Sequence, residues 1–413
     1  LHREKLLSSK SKSRAPPAFQ WISAGIFRKN RSRRSVVVVL AKRPPMGWNS
    51  WNTFGTDISE SLICRMADIL ASEGYLEAGY DTLVVDDGWQ SAARTADGHL
   101  SADPVKFPRG MKAVADYVHG RGLKFGIYSA AGVETCAGYP GSFGHEFTDA
   151  RDFAAWGVDY LKYDLCHFPG SGNMQSAYLT MSMALKCSGR DIVYSGATCG
   201  EGDAKLWMRS VGAHLYRTTG DIQDSFASVK RHAVFSLDDL GLSAPGCFAD
   251  PDMLVVGMRG KGYAADGGCT AEEYLTHFGI WCMYSVPLMI GADLRAIDAD
   301  CKKILLNKNL IAIDQDEECR PPYFEKRSRY SDKEKLILLK ILEGNRFAIG
   351  FFNLTDNDGA LHAYFSDMGL PVYSGRGFRL KDLVTGEDVG VHRDFFSVRL
   401  NRHACKIYLA TVE

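Results

Sequence analysis

The chain has 413 residues, of which 46% are hydrophobic and 24% charged, figures that predict a soluble globular protein with one large domain and a smaller one. The net charge of zero hides an asymmetry: residues 1–43 carry twelve Lys or Arg and one acid, which leaves 37 bases against 48 acids in the rest. An acidic body argues against nucleic acid as a partner, and no apolar run approaches the length that spans a membrane. Residues 1–42, basic and Ser-rich, read as a disordered or targeting segment outside the fold. Eleven cysteines are an odd number, and none stands in a CxxC or Cys/His cluster of zinc spacing, so neither a disulfide scaffold nor a structural metal is expected.

From Pro44 onward one unit recurs: a short apolar strand, a polar loop, an amphipathic helix. Strands are predicted at Met46–Trp48, Thr82–Val85, Lys124–Tyr128, Val158–Tyr163, Ile192–Ser195, His214–Arg217, Gly246–Phe248 and Val286–Ile290. Helical patterns lie between them at Ser59–Ala71, Met111–Arg121, Ala150–Trp156, Gly172–Cys187, Asp203–Val211, Ser225–Leu237 and Ala271–Met283, with Asp149 as a start signal and Gly189 as a stop. Eight alternating units predict an α/β fold, a (β/α)8 TIM barrel over residues 43–320. Beyond it, Leu336–Ile341, Arg346–Phe352, Gly377–Leu380, Phe395–Leu400 and Cys405–Ala410 alternate as antiparallel strands, predicting a β-sandwich over 321–413. The boundary falls in Asp316–Ser331.

Functional groups of such a barrel gather at the carboxyl ends of its strands. Here those positions hold Trp48 and Trp51, then Asp86-Asp87-Gly88-Trp89, Tyr128, Lys162-Tyr163-Asp164, Arg217–Asp221 and Asp250-Pro251-Asp252. Carboxylates with one Lys and one Arg suit vicinal sugar hydroxyls, and Trp suits the apolar face of a pyranose. Two further carboxylates would cleave: in retaining glycosidases they stand roughly 5–5.5 Å apart, one attacking the anomeric carbon and one protonating the leaving oxygen. Singly these signals are weak, since a strand-end Asp is more often a helix cap and Trp48 and Trp51 are equally core residues. Lys162 within an apolar run is costly unless it is paired.

Together the residues resemble a known family. Arg43-Pro-Pro-Met-Gly-Trp-Asn-Ser-Trp51, Val85-Asp-Asp-Gly-Trp89, Cys136-Ala-Gly-Tyr-Pro-Gly-Ser142, Trp156–Asp164, Arg217–Asp221 and Asp250-Pro-Asp-Met253 are similar to the melibiase signatures of glycoside hydrolase family 27. The resemblance implies a retaining exo-α-galactosidase without a cofactor, with Asp164 as nucleophile and Asp221 as acid/base. It implies galactose contacts from Trp48, Asp86, Asp87, Tyr128, Lys162 and Arg217. Asp86 and Asp87 would hold the 4- and 6-hydroxyls, Lys162 the 3- and 4-hydroxyls, Arg217 the 2-hydroxyl, and Asp252 would border the sugar. A disulfide between Cys136 and Cys166 would brace the mouth. Asp164 should be ionised beside Lys162 and Arg217, and Asp221 should have a raised pKa from its carboxylate neighbour and burial.

The chain departs from the family pattern in three places. Gly88 stands where the family often has Cys, and Tyr216 where some relatives have a Cys-containing segment, leaving Cys199 without its usual partner. After the fifth strand the family's bulky acid or amide is replaced by Thr198 when aligned by length, or by Gly200 with Glu201 beside it when aligned on Cys199. A small residue there also suits an α-N-acetylgalactosaminidase, unless Glu201 folds back onto the sugar. The intact Asp86-Asp87 pair disfavours the β-L-arabinopyranosidase branch. From other classes, a metal-dependent enolising enzyme is opposed by Lys162 among the acids, and a non-catalytic galactose-binding protein would not need both Asp164 and Asp221. The partner expected is an α-galactosyl carbohydrate, with no nucleic acid or membrane; a homo-oligomer stays open. A secreted or lysosome/vacuole-like compartment is slightly favoured over the cytoplasm; Asn353-Leu354-Thr355 is a glycosylation sequon only if the chain enters a secretory route.

Overall fold

The structure, a computed structural model, describes residues 39–170, 172–324 and 333–413; residues 1–38 of the expected basic segment and 325–331 of the expected boundary lie outside these. Eight parallel strands follow one another: β1 Met46–Asn49, β2 Thr82–Val85, β3 Lys124–Ala130, β4 Tyr160–Asp164, β5 Val193–Ala197, β6 Leu215–Arg217, β7 Phe248–Asp250 and β8 Leu288–Ile290. They pair in the order β7-β6-β5-β4-β3-β2-β1-β8. The curl closes just past β7, where the Leu254 amide donates to Met289 O at 2.7 Å and Gly291 N donates to Leu254 O at 2.9 Å. The expected (β/α)8 barrel is thus present.

Side-chain alternation along these strands sorts core from site. Trp48, Leu83, Val85, Ile127, Leu161, Tyr163, Tyr194 and Tyr216 pack outward into the layer shared with the helices. Val84, Tyr160, Leu215 and Phe248 fill the barrel interior with Met253 and Met289. On that inward parity, nearer the carboxyl ends, come Asn49, Asp86, Tyr128, Lys162, Asp164, Ser195, Arg217 and Asp250. The polar residues are therefore stacked above an apolar plug.

The helices are α1 Trp51–Phe54, α2 Glu60–Ser72, α3 Tyr75–Ala78, α4 Gly110–His119, α5 Glu146–Trp156, α6 Met174–Cys187, α7 Phe226–Ser236, α8 Ala271–Tyr284, α9 Ala299–Leu305 and α10 Lys308–Asp314. Ser59, Asn173 and Ser225 cap α2, α6 and α7 through side-chain oxygens, and Thr270 with Glu273 forms a capping box on α8. Two expectations are corrected. Asp149 does not start a helix: α5 begins at Glu146, and the fully buried Asp149 takes both Arg94 Nη atoms at 2.7 Å. No α-helix forms over Asp203–Val211; a 3-10 turn, Glu201–Leu206, stands there, bent by left-handed Cys199, Gly200, Gly202 and Asp203. The bend carries the loop back to β6, where Gly200 N donates to Arg217 O at 3.2 Å.

The C-terminal part is two antiparallel sheets. β9 Lys335–Leu342, β10 Arg346–Asn353, β12 Phe378–Asp382, β13 Asp388–His392 and β15 Cys405–Val412 pair in the order β13-β12-β15-β10-β9, and β11 Gly359–Tyr364 pairs with β14 Phe395–Leu400. Ile337, Leu339, Ile349, Phe351, Leu361, Val398 and Tyr408 fill the space between them. The opposite face, with Leu336, Leu338, Ala348, Phe352 and Ile407, joins the barrel core. Gly279 of α8 permits this approach, because a Cβ there would meet Ile407 Cδ1 at 2.6 Å. Lys340 shares that face and is fully buried; its Nζ donates to Ser285 Oγ at 2.5 Å and Cys282 O at 3.1 Å at the end of α8. Burial pushes Lys340 down to about 8 and the neighbouring Asp314 up to about 7. The sequon asparagine, Asn353, is fully buried and its Nδ2 donates to Asn357 O and Asn401 O, so the folded chain offers no glycosylation acceptor there.

Candidate active site

The site is assembled on the carboxyl ends of β1 to β7. Asp86, the residue after β2, is 1% exposed. Its Oδ2 accepts from Lys162 Nζ at 2.8 Å and Asn49 Nδ2 at 2.7 Å, and its Oδ1 accepts from Asp87 N at 2.9 Å. The Lys162 charge that looked costly in the sequence is thus paired: burial opposes it, but Asp86, Asp164 and Asp221 together outweigh burial and raise its pKa. Asp87 takes Gly88 N at 2.8 Å and Ala137 N at 2.9 Å, while burial pushes its carboxyl up to about 6. The Ala137 amide is next to Cys136, whose disulfide to Cys166 ties the loop after β3 to the loop after β4. That is the pairing expected.

Asp164 ends β4. Its Oδ1 accepts from Leu165 N at 2.9 Å and its Oδ2 from Tyr128 OH at 3.1 Å. Burial raises its pKa, opposed by Lys162, the Leu165 amide and Arg217. The sulfurs of Cys136 and Cys166 lie near its carboxylate, but being bonded to each other they are not thiolate ligands, and this trio makes no metal site.

Arg217, at the end of β6, is 4% exposed and pairs with Asp252 Oδ2 at 3.1 Å and Asp221 Oδ1 at 3.2 Å. Asp252 is 3% exposed, has φ +80°, and also accepts from Ile222 N at 2.8 Å. It therefore clamps the backbone directly after Asp221. Asp221 itself is 66% exposed at its side chain. The raised pKa expected for it is not found: burial works in that direction, but Arg217 and Lys162 outweigh it and hold the carboxyl below its ordinary value. The guanidinium in contact prevails over the more distant carboxylate. Asp164 and Asp221 nevertheless share one field, since each acts on Lys162 and Asp221 acts on Asp164.

Asp86, Asp87, Tyr128, Lys162, Asp164, Arg217, Asp221 and Asp252 are thus gathered at one mouth. Trp48 is not among them. Its side chain has the outward parity, is fully buried, and donates Nε1 to Ala292 O at 2.8 Å, so it offers no face to a sugar. The half-buried aromatic at this strand end is Trp51, packed on the interior cluster and edge-on to Tyr263 at 4.9 Å. Thr198 is 1% exposed just past β5, and Glu201 is exposed on the 3-10 turn. Thr198 Oγ1, Thr219 Oγ1 and Arg217 Nε are buried without hydrogen-bond partners, as groups awaiting a ligand hydroxyl would be.

Beneath the mouth, a cavity of about 20 Å³ is lined by Asn49, Tyr160, Lys162, Ser195, Arg217, Asp250 and Asp252 among others. Sequence reasoning assigned no role to Asn49, which orients Asp86, and placed Asp250 at a strand end without a role of its own; burial pushes Asp250 up to about 6. Counting strand residues by parity finds both.

Residues 43–316 match the family model described as Alpha galactosidase A. An α-galactosidase of Cyamopsis tetragonoloba is 38% identical over 373 residues, covering 90% of this chain and 87% of that protein. Among solved structures, α-galactosidase I from Mortierella vinacea superposes with a TM-score of 0.82 at 31% identity, covering 90% of this chain and 97% of that one. The Saccharomyces cerevisiae α-galactosidase with raffinose does so with 0.80 at 25%, covering 91% and 98%. The chain belongs to the α-galactosidase family of glycoside hydrolases, family 27.

Proposed function

We propose that this glycoside hydrolase is a retaining exo-α-galactosidase that removes terminal α-linked galactose from oligosaccharides or glycoconjugates. The observation that carries the reading is that Asp164 follows Lys162 on the same strand, Asp221 pairs with Arg217 at 3.2 Å, and Lys162 and Arg217 line one cavity. In the first step Asp164 attacks the anomeric carbon, and the glycosidic C–O bond breaks as Asp221 gives its proton to the departing oxygen. In the second, Asp221 takes a proton from water, the water oxygen bonds to the anomeric carbon, and Asp164 leaves as carboxylate. Tyr128 and the Leu165 amide, both on Asp164, would stabilise that carboxylate as it departs.

For Asp221 to act as an acid it must hold a proton that Arg217 disfavours in the empty site. A sugar hydroxyl accepting from Arg217 would draw the guanidinium away, and the excluded water would strengthen the effect of ionised Asp164; both changes raise Asp221. Asp86, Asp87 and Lys162 form the polar wall that would hold the ring hydroxyls, and the raffinose bound by the yeast neighbour is a ligand of the class proposed. The buried Thr198 hydroxyl is the side chain that would face the 2-position, with Glu201 exposed on the 3-10 turn beyond it. A secreted or vacuole-like setting accords with the Cys136–Cys166 disulfide.

The test is turnover of p-nitrophenyl α-galactoside. Asp164→Ala and Asp221→Ala should each abolish it with the fold intact, and near-normal rates in either would overturn that assignment. The α-N-acetylgalactosaminide counterpart, run beside it, should be the poorer substrate; the reverse order would replace galactose with N-acetylgalactosamine in the reading.

A further inference from the structure

Asp221 is unusual among the site carboxylates in being mostly exposed, with Arg217 Nη2 its side-chain partner at 3.2 Å. Its pose must therefore come from the backbone on either side of it. Downstream, Asp252 takes the Ile222 amide. Upstream, the Gly220 carbonyl accepts from Arg217 Nη2 at 2.9 Å, and His232 Nε2 stands 3.0 Å from the same oxygen, donating to it in the tautomer that carries the ring proton on Nε2. His232 is 2% exposed, on the second turn of α7, and its Nδ1 lies 2.7 Å from Ser228 O one turn back. The ring is thus wedged between its own helix and the peptide that carries Asp221.

From this geometry we infer that His232 is a positioning residue for general acid catalysis. It fixes the Gly220–Asp221 peptide from behind, so that the exposed carboxyl meets the glycosidic oxygen. Arg217 alone does not suffice for this, because it must release Asp221 and turn to the sugar when substrate binds, whereas His232 is buried and its ring nitrogens lie only on backbone and side-chain groups of Ser228 and on Gly220 O. The inference rests on Asp221 being the acid/base.

Leaving-group dependence separates this role from a merely structural one. Methanol needs a proton as it departs, whereas 2,4-dinitrophenolate leaves as a stable anion, so a misplaced acid slows only the first. In His232→Phe, kcat/KM for methyl α-galactoside should fall about tenfold, a fraction of the usual worth of a general acid, with a much smaller change for 2,4-dinitrophenyl α-galactoside. His232→Gln, whose amide nitrogen reaches Gly220 O as Nε2 does, should restore most of the loss. His232→Asn, which reaches only Ser228 O, should not, and it serves in place of the Phe variant if that fails to fold. Equal losses on both substrates, or no loss on either, would overturn the inference while leaving Asp221 as the acid. The control is Asp221→Ala: a loss there that ignores the leaving group would overturn the acid assignment and the role of His232 with it.

Discussion

Replacing Asp252 by Asn tests how the floor of the site is held. Asp252 is nearly sealed from solvent, and it meets two demands at once: the charge of Arg217 at 3.1 Å and the amide of Ile222 at 2.8 Å. The amide side chain keeps the shape, tolerates φ +80°, and can still accept from Ile222, so only the charge is lost. Removing one partner of a buried pair costs about 3–5 kcal/mol. The lower end, about 3 kcal/mol, applies here because Arg217 retains Asp221 and the peptide oxygens of Thr219 and Gly220. Asp252→Ala also abandons the Ile222 amide and forces alanine into the left-handed region, adding about 1–3 kcal/mol more. The site should register the change too. With Asp252 neutral, Arg217 falls more fully to Asp221 and lowers its pKa further; since Asp221 must be protonated in the free enzyme, the basic limb of kcat/KM should move to lower pH. Urea denaturation at pH 7 with a pH–rate profile reads both. A stability loss under about 1 kcal/mol with an unmoved basic limb would refute the reasoning, because a buried charge pair cannot be broken so cheaply.

Three other perturbations probe separate links. Trp48→Ala should cost about 3–5 kcal/mol of stability as a core cavity with little change in KM, whereas Trp51→Ala should raise KM for p-nitrophenyl α-galactoside at small cost in stability; thermal melts and steady-state kinetics decide between them. Cys136→Ser should lower stability by about 3–4 kcal/mol, the loop-closure value for a separation of 30 residues, and should raise KM, because the freed loop carries the Ala137 amide that holds Asp87. Lys340→Ala should destabilise the joint between barrel and sandwich by about 3–5 kcal/mol, leaving Asp314 buried without its counter-charge. That last loss should be largest at alkaline pH and shrink as pH is lowered and Asp314, its pKa higher still without Lys340, takes up a proton. Denaturation at two pH values reads it.

The barrel was legible because each of its eight strands is an apolar run followed by polar residues, and strand ends moved by only a few residues between expectation and structure. α1, α3, α9 and α10 were missed for want of length, having four or seven residues each, too few for a helical period to stand out. β11 and β13 were missed for another reason. Gly359-Ala-Leu-His-Ala-Tyr and Asp388-Val-Gly-Val-His are short, glycine-bearing strands, and half-exposed β13 has no buried stripe to betray it. The expected helix at Asp203–Val211 failed because tertiary demand overrode local pattern: the loop must reach β6, and four left-handed residues take it there.

At the site, residue types and strand ends revealed which carboxylates converge, but not how each is charged. Asp221 was expected to share a proton-raising field with Asp164, yet its contact is Arg217, one helical turn's spacing away in sequence. Trp48 was misplaced although the signal was present: Asn49, not Trp48, has the parity of Asp86, Lys162 and Arg217. Asp252 was expected only to border the sugar, and His232 carried no signal at all; what each holds depends on a left-handed turn and on where α7 docks, neither of which a linear pattern records.

The most direct test of the account is to catch the sugar on the enzyme. Inactivation with a 5-fluoro-α-galactosyl fluoride, followed by proteolysis and mass spectrometry, should place one galactosyl group on the carboxylate of Asp164, and product formed during normal turnover should appear first as α-galactose by NMR. A label on Asp221, or β-galactose as the first product, would contradict it.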